Sequence, residues 1–345
     1  MKVLNFGSLN IDYTYQVDHF VRAGETMSSE SLQVFSGGKG LNQSIALSKA
    51  GADVWHAGAV GAGDGDFLIE QMKKAGVHTE LIEHLDGQTG HAIIQKDPAG
   101  QNCILLYGGA NQRITREMVD RVLTQFEADD FLILQNEISE IGYIMEKAHE
   151  KGMKIVLNPS PMNAKILSYP LEYVDYFLLN EVEASDICGI EATKDPQALM
   201  NGLVKQFPEA KIVLTLGGDG SVYRDGNTVL RQESIKCRLW TRRRQAIHLP
   251  VILSAAYSSV KTRRRRWNMR QKRQRSPFPA QEQLRRCRTG RKSRRLKDKK
   301  HLKTCLLKQN IVKYHLVAFP KFGLVPGFAE APLFCARLTL VSVGL

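Results

Sequence analysis

Eight residues, Ser36-Gly37-Gly38-Lys39-Gly40-Leu41-Asn42-Gln43, combine the features of a ligand-holding loop. Glycines ahead of a helix let the backbone come close to a bound molecule. The helix N-terminus aims free N–H groups and a partial positive charge at it. Lys39 adds a cation, and Asn42 an amide that both donates and accepts. The GxxxxGK[ST] spacing of a Walker A loop is absent. Glycines alone would read as an ordinary turn opening a helix; Lys39 and Asn42 at these offsets favour a site. A second polar cluster, Gly7-Ser8-Leu9-Asn10-Ile11-Asp12, closes the first strand-like run. Carboxyl ends of parallel strands are where α/β proteins bind ligands, and Asn10 and Asp12 are suited to sugar hydroxyls. Alone, that cluster reads better as a polar strand end capping a turn.

These residues need elements to hold them. Lys2–Leu9 reads as a buried first strand. Gly40–Ala50 has helical spacing (Leu41, Ile45, Leu47) and stops at Gly51; Asp66–Ala75 repeats the plan and stops at Gly76. His91–Asp97 and Gln101–Tyr107 flank the turn sequence Asp97-Pro98-Ala99-Gly100 and predict a hairpin. Helix-like Arg116–Phe126, Ile138–Glu150 and Pro196–Phe207 then alternate with strand-like Phe131–Gln135, Lys154–Leu157, Tyr176–Leu179 and Lys211–Leu216. Strands separated by helices of this length indicate βαβ units and a parallel sheet. Tyr13–Val17 and Ser29–Phe35 alternate like strands before the first helix and suggest a small separate sheet.

The chain has 345 residues, 43% apolar, enough for one large α/β domain with a small appendage. Met1-Lys2 leads straight into a strand-like run, with no apolar signal segment and no membrane-length apolar stretch. A soluble, cytoplasmic protein is the expectation. Cys103, Cys188, Cys237, Cys287, Cys305 and Cys335 show no CxxC spacing and read as free thiols. The net charge of +13 conceals a break. Residues 1–235 hold 19 Lys and Arg against 32 Asp and Glu, a net −13. Residues 236–345 hold 29 against 3, a net +26. Runs such as Arg263–Arg266 and Arg291–Lys300 have no helical or strand period, and the tail from 236 is expected to be irregular.

GSLNID at Gly7–Asp12, GET at Gly24-Glu25-Thr26 and GGKGLNQ at Gly37–Gln43 resemble the ribokinases and their relatives, the PfkB carbohydrate kinases. Further motifs follow in the same order: Glu137 after the strand Phe131–Gln135, Asn158-Pro159-Ser160-Pro161, Asn180-Glu181-Val182-Glu183, and Thr215-Leu216-Gly217-Gly218-Asp219-Gly220. The resemblance covers residues 2 to about 235. It implies a ribokinase-like α/β fold, with a mostly parallel central sheet flanked by helices and a small β-lid from 13–17, 29–35 and 91–107. It implies that Asn10, Asp12, Gly38, Lys39, Gly40, Asn42 and Glu137 hold a sugar. Asn180 and the turn Thr215, Leu216, Gly217, Gly218, Asp219, Gly220 would hold ATP, and Glu183 would act indirectly on Mg2+. The bland reading of Glu137 or Glu183 is a solvated acid at a helix start. A homodimer contact through the lid and a K+ site, mostly in the missing segment, are further implications. Glu137 beside GGKGLNQ points to D-ribose; fructokinase-like and nucleoside-kinase substrates are the alternatives.

That family's chemistry also needs a motif of the form DTxxAGD, whose last Asp takes the proton from the sugar hydroxyl. Its Ala-Gly amides cradle the phosphoryl charge. The motif is due shortly after Ile235, and nothing like it is present. A shifted reading frame supplies it. Joining the last base of each codon to the first two of the next, Trp240-Thr241 forces Asp, and the junctions from Leu239 to Ile252 permit Val-Asp-Thr-Thr-Ala-Ala-Gly-Asp-Thr-Phe-Thr-Gly-Tyr. Thr262 to Gln271 permit a helix-forming Pro-Glu-Glu-Ala-Leu-Glu-Tyr-Ala-Thr, and Gln281–Arg288 permit Gly-Ala-Ala-Pro-Ser-Met-Pro. Residues from about 237 therefore read as out-of-frame translation, and the written chain is expected to have little or no activity. A nucleic-acid-binding fusion would use the arginine runs, yet binding modules and stacking aromatics are wanting there. A non-catalytic sugar-binding protein is the other rival; a chain lacking the sheet's far cover would expose apolar surface and fold poorly.

Overall fold

The computed structural model describes residues 1–190 and 195–233. All of them belong to one compact unit. The four tail cysteines, the arginine runs and the frame-shift stretches lie outside the described residues.

The amino-terminal half runs β1 (Val3–Phe6), β2 (Asn10–Gln16), β3 (Ser31–Gly37), α1 (Lys39–Lys49), β4 (Val54–Gly61), α2 (Asp66–Lys74), β5 (His78–Leu85), β6 (Gly90–Lys96) and β7 (Asn102–Tyr107). It continues with α3 (Arg116–Leu123), β8 (Phe131–Gln135), α4 (Ile141–Glu150), β9 (Lys154–Asn158) and β10 (Tyr176–Asn180). Last come α5 (Glu181–Cys188), α6 (Pro196–Gln206), β11 (Lys211–Thr215), β12 (Ser221–Asp225) and β13 (Thr228–Gln232).

Nine strands form the main sheet in the order β13-β12-β11-β10-β9-β8-β1-β4-β5. From β11 to β5 every neighbouring pair is parallel; β12 and β13 close the other edge as an antiparallel hairpin. Alternation along the central strands sends side chains to two separate cores. Leu4, Phe6, Leu132, Leu134, Ile155 and Leu157 pack with Met118, Val122, Ile141, Ile144 and Met145 of α3 and α4. Val3, Ile133 and Val156 share the other face with Leu41, Leu47, Leu68 and Met72 of α1 and α2. Strands covered on both faces read as continuous apolar runs, as Phe131–Gln135 and Lys154–Asn158 do.

The lid is a second sheet, ordered β3-β2-β6-β7. Its hairpin turn matches the sequence expectation, with Gly100 N–H donating to Asp97 O at 3.0 Å and Gln101 N–H to Asp97 Oδ1 at 2.7 Å. The first strand is shorter than Lys2–Leu9 suggested: it ends at Phe6, and Asn10 already belongs to the lid. Four strands, β4, β5, β12 and β13, carried no clear sequence signal, and of α5 only the acidic start was legible. β4 is Val-Trp-His-Ala-Gly-Ala-Val-Gly, too glycine-rich to show a strand period, and takes its form from pairing with β1. Cys103 and Cys188 are free thiols, as expected. Among the described residues no helix is long and apolar enough to cross a membrane.

Candidate active site at the carboxyl edge of the sheet

Gly38, Lys39, Gly40 and Asn42 follow the lid strand β3, at and in the first turn of α1; the other candidate residues outside the lid follow the carboxyl ends of parallel strands, on one edge of the main sheet. In spatial order they sit after β1 (Ser8), β8 (Glu137), β9 (Ser160), β10 (Asn180) and β11 (Thr215–Gly220). Register places Gln135 beside Asn158 and Asn180 beside Thr215.

The first turn of α1 lies directly on the loop after β1. Gly38 has φ 92°, and a Cβ there would come within 2.7 Å of Ser8 O, so only glycine fits. Gly40 packs against the Ser8 amide with no room for a side chain. Leu41 N–H donates to Ser8 O at 2.9 Å. Glu137 brings the two segments to a point: its Oε2 accepts from Lys39 N–H at 2.9 Å and from the Ser8 hydroxyl. A carboxylate on the free N–H groups of a helix start is stabilised by the helix dipole. The bland reading of Glu137 is therefore too bland, because it is a half-buried acceptor shared by two loops.

Asn10 is buried, and its Oδ1 accepts from Asn111 Nδ2 at 2.7 Å. Asn111 also clamps Leu9, accepting from its N–H at 3.0 Å and donating to its carbonyl at 3.1 Å. Asp12 is half-buried, with its carboxylate against Gly37 across the strand pair. Asn42 lies exposed on the first turn of α1.

Asn180 caps α5. Its Oδ1 accepts from Glu183 N–H at 2.9 Å, and Glu183 Oε2 accepts from Asn180 N–H at 2.9 Å, a reciprocal capping box. Glu183 is only 6% exposed, so it is not a solvated helix-start acid. Burial pushes its carboxyl pKa up; the Asn180 amide, the Ser160 hydroxyl and the Lys39 charge oppose that shift. The charge of Lys39, at the start of α1, thus bears on the Glu183 carboxyl at the start of α5. Thr215 Oγ1 donates to Leu179 O at 3.1 Å, and Leu216 N–H to Gly220 O at 2.8 Å. Gly220 has φ 93° and packs on Gln232, which turns the chain and leaves Gly217, Gly218 and Asp219 exposed.

Sequence reasoning quoted Ser8 and Ser160 only within motifs and missed Asn111. Its signal was available: a polar residue directly after Gly108-Gly109-Ala110, where the lid returns to the body.

A nucleotide and a sugar both bind at such edges, and comparison with known proteins decides the class. Residues 1–238 match the pfkB family carbohydrate kinases. The chain belongs to the pfkB family. Within this family it is 34% identical over 241 residues to ribokinase of Staphylococcus aureus (strain COL), covering 68% of this chain and 79% of that protein. It is 32% identical over 223 residues to ribokinase of Haemophilus influenzae, covering 62% and 71%. The crystal structure of ribokinase from Cryptococcus neoformans var. grubii serotype A with ADP superposes with a TM-score of 0.63 at 28% identity, covering 75% of this chain and 88% of that one. The two-sheet architecture, with a parallel body and a β-lid, is the ribokinase-like fold of this pfkB chain.

Proposed function

We propose that this protein is built as an ATP-dependent ribokinase, which transfers the γ-phosphate of ATP to O5 of D-ribose, and that the chain as written lacks the base for that step. The observation that carries the sugar reading is the convergence of Ser8, Lys39 and Glu137 at one point, beneath a lid that carries Asn10 and Asp12. Relatives named ribokinase support D-ribose over other sugars.

In this reading Asn10, Asp12, Asn42 and Glu137 hold the sugar hydroxyls, and the lid excludes water. The Lys39 ammonium adds positive charge on this side of the site, while the first N–H groups of α1 are taken by Glu137, Ser8 and Gly38. Asn180 and the Thr215–Gly220 turn line the nucleotide side. Mg2+ is usually held by one or two carboxylates, waters and the substrate phosphates, so it needs no protein cage. The buried Glu183 carboxylate, fixed by Asn180 and Ser160, fits an indirect role there, and the ion would supply charge neutralisation on the phosphates. The K+ that the resemblance implies would be held mostly by the segment missing from the written chain.

Glu137 and Glu183 each already accept two or more hydrogen bonds from the protein. That suits holding rather than proton removal, and it supports the reading that the base belongs to the shifted-frame segment after Ile235. We also place a homodimer contact on the lid. Tyr13, Val34, Ile93 and Leu105 form one row across its four strands on the face opposite Asp12, and Val34, Ile93 and Leu105 are exposed.

The test is a coupled ATP-turnover assay with and without D-ribose, on the chain as written and on one with the frame restored at about codon 237. Ribose-dependent turnover only after restoration is the expected result. Turnover by the written chain would mean that another residue supplies the base.

A further inference from the structure

Under the candidate site lies a set of buried polar side chains that the proposed reaction does not use. Asn5, Ser44, His56 and Gln135 are fully buried and Gln43 nearly so. Polar groups sealed in a core are costly unless paired, so a linked set of them, in which Gln135 Oε1 is left without a partner, needs an explanation.

The hydrogen bonds fix their own direction. His56 Nε2 lies 3.1 Å from Gly7 O, and a carbonyl only accepts, so Nε2 carries the proton. Nδ1, 2.8 Å from Ser44 Oγ, is then an acceptor, and the Ser44 hydroxyl donates to it. Ser44 Oγ in turn accepts from Asn5 Nδ2 at 2.8 Å. The same Asn5 amide gives its second hydrogen to Gly40 O at 2.8 Å. Asn5 Oδ1 accepts from Gln135 Nε2 at 2.9 Å, and Gln135 Nε2 also donates to Gln43 Oε1 at 2.7 Å. Two ends of this chain are the carbonyls of Gly7 and Gly40. Those residues form the contact between the loop after β1 and the first turn of α1.

We infer that His56 is a positioning residue: as the neutral Nε2–H tautomer it ties Gly7 directly, and Gly40 through Ser44 and Asn5, so that Ser8 and Lys39 meet Glu137 in register. This rests on the reading that Ser8, Lys39 and Glu137 hold the sugar. Burial pushes the His56 pKa down to about 3, against the Gly7 carbonyl, which favours the charged ring. The ring therefore stays neutral near neutral pH. β4 itself makes room for it: a Cβ at Gly58 would press within 2.6 Å of Gly7 O.

The test uses the full chain. Nitrogen NMR of the His56 ring between pH 5 and 8 should show a protonated Nε2, an unprotonated Nδ1 and no titration. A charged ring or the opposite tautomer overturns the proposal. Calorimetry with D-ribose should show His56→Leu weakened by about tenfold, the scale of one lost hydrogen bond. His56→Gln keeps a donor and an acceptor and should recover part of that loss. Affinity equal to the parent in His56→Leu, or no recovery in His56→Gln, also overturns it. If the parent binds no D-ribose, the sugar reading falls, and backbone amide shifts of His56→Leu decide the positioning role. Shifts concentrated at Gly7, Ser8 and Gly38 to Gly40 support it; shifts confined elsewhere overturn it. Should His56→Leu fail to fold, Ser44→Ala removes one link and little volume and carries the same affinity test.

Discussion

Glu137 is the residue on which two loops close, and its charge is what they share. Glu137→Gln keeps the shape and removes the carboxylate, so charge-assisted bonds worth about 1.5–3 kcal/mol become ordinary ones. The melting temperature should fall by a few degrees and D-ribose affinity by about tenfold, measured by a thermal scan beside calorimetry. His56 gives a prediction of a different kind. Its folded pKa of about 3 lies below the ordinary value of 6.5, so the unfolded chain binds one more proton between those values. Stability from this residue is full above pH 6.5 and falls as the pH drops toward 3. The loss has a ceiling of about 5 kcal/mol for a shift of this size. Urea unfolding of the parent and His56→Gln between pH 4 and 7 should show a steeper acid loss in the parent. Parallel slopes would mean that the ring is not buried neutral.

At the scale of elements, the loop after β1 and the start of α1 behave as one part. Gly40→Ala would drive a methyl into the Ser8 backbone, which cannot yield without moving the helix. Overpacking of this sort costs about 1–3 kcal/mol, so a lower melting temperature and lost ribose binding should appear together. Much of this part was legible in the sequence. Gly38, Lys39, Glu137, Asn180 and Glu183 all sit where strand ends and helix starts predict. Illegible were the couplings that only pairing creates. Asn111 reaches Leu9 and Asn10 from across the lid, about a hundred positions along the chain, and no local pattern encodes such a reach. β4 and β5 were missed for a related reason. Their residues have weak strand preferences of their own, and their form comes from neighbours in the sheet. For Glu183 the sequence left a solvated helix-start acid as the alternative to a Mg2+ role, and its burial, with Ser160 and Lys39 acting on it from other segments, was not legible.

For the whole molecule, the charge break between residues 1–235 and 236–345 and the lid surface bear on different questions. The lid presents Val34, Ile93 and Leu105 in one exposed row, the composition of a surface meant to be covered. Leu105→Arg places a charge in the middle of it. Light scattering of the purified chain should then show a homodimer become a monomer, with the fold retained. A monomeric parent would remove the lid contact from consideration.

β1 lies in the interior of the sheet although it is made first. It pairs with β4 on one side and with β8 on the other, where Val3 meets Phe131. During synthesis the first strand must therefore wait, one edge open, until more than a hundred further residues have emerged. Pairings across such separations form slowly, and an open apolar strand is the usual point of misassembly. The wait ends at β8, and among the described residues the last parallel strand of the sheet is complete at Thr215. The open edge of β1 is thus closed by residues far ahead of the basic tail, and its risk is the same whatever the tail contains.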